Sequence, residues 1–91
     1  MPTPPERAVP TFSFQPRWKE ELVCTCALGA FLLDLPMGRP TVSAPTAASW
    51  AAHAPGWAQG LHDAFCAELE TWCTARGLPI VFADDAGPFP A

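Results

Sequence analysis

The stretch GWAQGLHDAFCAELETWCTARG, residues 56–77, decides the fold. Ala58, Leu61, Phe65, Leu69 and Trp72 recur at steps of three and four, which puts them on one face of an α-helix. His62, Cys66 and Cys73 lie on one flank of that face. Gln59, Asp63, Ala67, Glu70 and Thr74 fall opposite and are expected in solvent. Arg76 suits the negative end of the helix dipole. Gly77 supplies the left-handed residue that ends the helix, and Pro79 bars its resumption. Such a helix buries its apolar stripe against another layer, so the flanking sequence is read for a sheet.

Upstream, Thr46 has the chemistry of an N-cap for a short helix over 47–54, and Pro55-Gly56 makes the corner between the two helices. Before that the period changes to two. Phe12 and Phe14 alternate with Ser13 and Gln15, and Pro16 ends that piece or places it on a sheet edge. A strand is expected from Trp18 to Cys26, a hairpin link over 27–30 carrying Gly29, and a return strand from Phe31 to Leu35. After a turn over 36–40, Thr41 to Ala44 reads as a third short strand and Leu78 to Ala83 as the last. The expected fold class is α+β. It is a small two-layer domain in which an antiparallel β-meander and a final strand, in the order β-β-β-α-β, pack on one long amphipathic helix. Residues 1–10, with four prolines, read as a flexible arm, 11–85 as a single domain and 86–91 as a flexible tail.

Composition narrows the function classes. At 91 residues the chain is one domain, and apolar residues make up 49 % of it, with four Trp and six Phe, enough for a core. Charged residues reach 15 %, against roughly 25 % in an ordinary globular chain. The net charge of −4 speaks against nucleic acid or an anionic membrane as partner. No run of about 20 apolar residues suggests a membrane span. The first residues lack a basic-plus-apolar signal pattern, so a cytoplasmic location is expected, with the four cysteines as thiols.

Three constellations could carry function. Cys24 and Cys26 share a strand face, and His62 and Cys66 lie one helical turn apart, so Cys24, Cys26, His62 and Cys66 could hold one zinc ion between sheet and helix. The competing reading makes these cysteines small core residues, since neither pair has the C-x-x-C spacing of common zinc knuckles. Cys66 and His62 could also form a nucleophile pair, but nothing resembles a phosphate-binding glycine loop, a nucleophile elbow or a zinc-protease helix. No cofactor and no enzymatic activity are expected. Finally, no charged residue stands between Arg39 and Asp63, a stretch that holds Trp50, His53 and Trp57. Low charge with Trp is the composition of an interface centre. Trp50, His53, Trp57, Met37 and Arg39 are therefore the expected partner-binding residues, against the alternative that the tryptophans merely close the core.

The expected function is a small, acidic, non-catalytic protein-binding module. It would be an immunity protein, an inhibitor or anti-defence protein, or a small subunit of a bacterial or phage assembly. The partner is another protein; the alternatives are the zinc-stabilised module and a homodimeric structural protein.

Overall fold

A computed structural model of the chain describes residues 11–17, 20–36, 38 and 41–91. The elements run β1 (Ser13–Arg17), β2 (Glu21–Cys26), β3 (Gly29–Asp34), β4 (Val42–Pro45), α1 (Ala47–His53), a 3₁₀ segment (Gly56–Leu61), α2 (His62–Arg76), β5 (Ile80–Ala83) and β6 (Phe89–Pro90). The class is α+β: one antiparallel sheet of four strands, a second sheet of two, and a long helix continued from the 3₁₀ segment.

The main sheet has the order β1-β2-β3-β6. Its centre is the β2–β3 hairpin, with Cys24 opposite Phe31 and Leu22 opposite Leu33. Leu22, Cys24, Phe31 and Leu33 are all buried, as strict alternation requires of one sheet face. Asp34 and Thr25 are exposed. Pro16 lies in β1, which among the described residues pairs only with β2 and so forms an edge, where a residue without an N–H is tolerated.

Helix α2 covers the buried face with the stripe its sequence spells. Ala58, Phe65 and Leu69 are fully buried and Leu61 and Trp72 partly so, while Gln59, Asp63, Ala67, Glu70 and Thr74 are exposed. Phe65 packs edge-on against Phe12 (5.0 Å) and Phe31 (5.1 Å). The Phe12 N–H donates to Glu68 Oε1 (2.8 Å), which pins the start of the sheet to the helix. Gly77 adopts φ 68° and its N–H donates to the Cys73 and Thr74 carbonyls, so only a residue without Cβ closes this helix cheaply.

Two expectations need correction. The Thr41–Ala44 and Leu78–Ala83 strands do not join the main sheet. As β4 and β5 they pair with each other, in parallel, with Val42 opposite Ile80 and Ala44 opposite Phe82. A parallel pair needs a crossover of a dozen residues or more, and α1, the 3₁₀ segment and α2 together supply it. The stretch 86–91, expected as a flexible tail, instead belongs to the fold. Ala86, Gly87 and Pro88 are buried, and Phe89–Pro90 form β6 against Leu32 and Phe31 of β3. The buried Ser49 hydroxyl donates to the Gly87 carbonyl (2.6 Å) and holds that segment down. The expected arm over 1–10 lies outside the described residues. Among the described residues, no helix is long and apolar enough to cross a membrane.

Candidate functional site

Thr46 begins the chain of contacts that shapes the site. Its Oγ accepts from the Ser49 N–H (3.2 Å) and donates to Asp84 Oδ1 (2.6 Å), so the N-cap of α1 is tied to the end of β5. Helix α1 then presents Trp50 inward and His53 outward. At its far end the Gln59 side-chain amide donates to the Ala54 carbonyl (2.8 Å) and fixes the corner.

Trp50 is 1 % exposed and the largest fully buried side chain. Its indole N–H donates to the Ala58 carbonyl (2.8 Å), and its ring meets Phe31 edge-on (5.4 Å) and lies 5.1 Å from Phe65. It is therefore a core residue, with almost no surface to offer a partner, unlike the exposed interface residue expected. A seven-residue helix shows only two turns, too few for periodicity to say which tryptophan turns inward.

Trp57 behaves differently. It is half-buried, and its ring stacks on Phe31 at 6.0 Å and 24°. Its other edge lies where a Cβ on Gly29 would sit, at 2.7 Å from Cζ2. Gly29 is thus required by the close approach of an indole. Trp50, Phe31 and Trp57 form an aromatic series that runs from the core to the surface, edge-on at its inner contact and stacked at its outer one.

At its outer end is a cleft of about 390 Å³. It is lined by Trp57, His53 and Pro55, by Phe89 with Pro88 and Pro90, and by Ala30, Phe31 and Ala91. His53 is exposed and is the one titratable side chain among these. The structure thus brings His53 and Trp57 together at one cleft. Met37 and Arg39 lie outside the described residues. Phe89 and its neighbouring prolines were missed because GPFPA reads as a tail. The signal that could have found them is a phenylalanine among residues otherwise suited to exposure.

The cysteine constellation does not assemble. Cys24 is buried in the sheet face, where burial, and secondarily the neighbouring Cys73, pushes its thiol far up. Cys26 Sγ accepts from the Leu28 N–H in the hairpin (3.4 Å). His62 and Cys66 do meet, at 3.3 Å. Among the described residues no three His, Cys, Asp or Glu side chains converge on a metal position, so Cys24, Cys26, His62 and Cys66 are corrected to separate structural roles. Strand alternation placed Cys24 and Cys26 on one face but could not say that the hairpin end lies away from His62.

Nor is the His62–Cys66 pair an activated nucleophile. His62 Nε2 lies 2.9 Å from the Pro45 carbonyl, which accepts and cannot donate, so Nε2 carries the proton. A protonated Nε2 has no lone pair with which to take the Cys66 proton. Burial, then Glu70 and Asp63, push the Cys66 thiol up to about 11, the reverse of the lowered value a reactive cysteine needs. The pair is a tether between α2 and β4.

Compared with known proteins, the chain matches no family model, no curated protein and no solved structure.

Proposed function

We propose that this chain is a non-catalytic protein-binding module, and that its cleft takes an uncharged, proline-containing extended segment of another protein. The observation that carries this reading is the half-buried Trp57, stacked on Phe31 beside a cleft whose walls are aromatic and proline side chains. Proline-rich segments dock in aromatic-lined grooves because their extended helix is already formed and loses little entropy on binding. The lining side chains carry no formal charge when His53 is neutral, so a charged segment gains no ion pair with a side chain there. The buried Phe31, with Trp50 behind it, backs the Trp57 ring before the partner arrives, which lowers the ordering cost of association. The assignment of such a module to an inhibitor, an immunity protein or a small assembly subunit rests on its size and acidity alone.

The test is a photo-cross-linker. Benzoylphenylalanine replacing His53 on the cleft wall should trap a protein from a lysate spiked with a proline-rich target domain. The same reporter replacing Thr74, on the exposed face of α2, should trap none. Equal trapping at the two positions, or none at His53, removes the cleft from the function.

A further inference from the structure

The edges of the two sheets are not protected alike. β1 carries Pro16, which interrupts its row of donors, and Arg17, which pairs with Glu21. β6 is two residues long, ends in Pro90 and follows Pro88. Such short edges, prolines and charges are the devices that keep a sheet from pairing with another chain. β5, Ile80-Val81-Phe82-Ala83, carries no proline or charge within its four residues; Pro79 precedes it and Asp84 follows it. Among the described residues it pairs only with β4. Val81 is 53 % exposed and Phe82 45 %.

Among the described residues, the unpaired groups of this edge can be named. The Val42 N–H donates to the Pro79 carbonyl (2.9 Å) and the Thr46 N–H to the Ala83 carbonyl (3.2 Å). Backbone groups alternate along a strand, so Val81 also faces β4, and the N–H and C=O of Ile80 and Phe82 point outward.

We infer that β5 pairs with β5 of a second copy of this chain, antiparallel, about a two-fold axis at Val81. In that register Ile80 of each copy exchanges both hydrogen bonds with Phe82 of the other, so all four outward groups of each strand are used. No other register centred within β5 does so. Phe82 lies on the same sheet face as the buried Val42 and Ala44, but beyond the reach of the core. The second copy sets Ile80 against it. The two Val81 side chains meet in the narrow, non-hydrogen-bonded pair, with Cα atoms about 4.5 Å apart.

Charge selects the same arrangement. Asp84 and Asp85 are exposed at the end of β5. A parallel partner strand of the same sequence would set them side by side. Antiparallel pairing puts the two Asp84 residues six positions apart, about 20 Å at roughly 3.4 Å per residue. That exceeds the screening length of about 8 Å at physiological salt. Pairing over three residues of each β5 is a small interface, so the dimer is weak and forms with rising concentration.

Sedimentation equilibrium from micromolar to millimolar concentration should show a monomer–dimer equilibrium. Val81→Lys places two like charges directly opposite at the axis and should raise the dissociation constant roughly tenfold or more. The same substitution should leave the melting temperature of the dilute monomer unchanged, because Val81 is already exposed. Val81→Cys should form an intermolecular disulfide under mild oxidation, above the background of the four native thiols. Thr74→Cys, on the exposed face of α2, should not. A monomeric mass throughout overturns the inference, as does a dimer that Val81→Lys leaves intact or equal cross-linking of the two cysteine variants.

Discussion

Replacing Trp50 by Ala should cost a large share of the stability of this domain and only indirectly its binding. The side chain is 1 % exposed, in contact with Phe31 and Phe65, and its indole N–H is bonded to the Ala58 carbonyl. Truncation of a core Trp costs about 3–5 kcal/mol. The orphaned carbonyl moves this site toward the upper end, since an unpaired buried acceptor costs about 1–3 kcal/mol. A chain of 91 residues at roughly 0.05–0.15 kcal/mol per residue is stable by about 5–14 kcal/mol in total. At about 4–8 °C per kcal/mol, the melting temperature should fall by roughly 12–40 °C. Trp57→Ala loses a stacked pair and part of an exposed ring, about 1–2 kcal/mol. Thermal and urea unfolding, followed by circular dichroism, read both. If Trp50→Ala melts within a few degrees of the wild type, or if Trp57→Ala is the more damaging change, the division into a buried and a surface tryptophan is wrong.

Three further outcomes follow from named contacts. Ser49→Ala should cost about 1–3 kcal/mol by leaving the Gly87 carbonyl unpaired, and hydrogen exchange should accelerate over 86–91 before the rest of the molecule. Gly29→Ala should drive the Trp57 ring off the hairpin and Phe31, with a loss of about 1–3 kcal/mol in urea unfolding and a moved Trp57 indole resonance. Cys66 is held at about 11 in the fold, above its ordinary 9.0, so the folded state keeps the proton that the unfolded chain gives up. Its contribution is complete below pH 9 and is lost as pH rises toward 11, so stability should decline across that window, and Cys66→Ser should make the decline shallower while the raised Cys24 and Cys73 thiols keep the rest.

Much of this fold was legible because the decisive patterns are periodic. The stripe from Ala58 to Trp72, the Thr46 cap, the Gly77 stop and the alternation of β2 and β3 each follow from local sequence, and each stands in the structure. What alternation does not encode is the identity of the partner strand. Val42–Pro45 and Ile80–Ala83 carry the same apolar signature whether they add to a meander or pair with each other, and their choice depends on the crossover between them. The segment 86–91 was illegible for another reason. Its prolines and glycine describe a loop locally, while its place is fixed by Ser49 and Leu32, dozens of residues upstream. Of the expected interface, His53 and Trp57 were legible as an uncharged aromatic patch. The inward turn of Trp50 and the place of Phe89 in the cleft lining depend on tertiary contacts that no local pattern carries.

The most direct test of the central claim is a two-dimensional amide NMR titration of the intact chain with a synthetic oligoproline peptide. The account predicts saturable shifts confined to Ala30, Phe31, His53, Phe89 and the Trp57 indole N–H, and their loss in Trp57→Ala while the rest of the spectrum stays folded. No shift at millimolar peptide, or shifts that persist unchanged in Trp57→Ala, would contradict it.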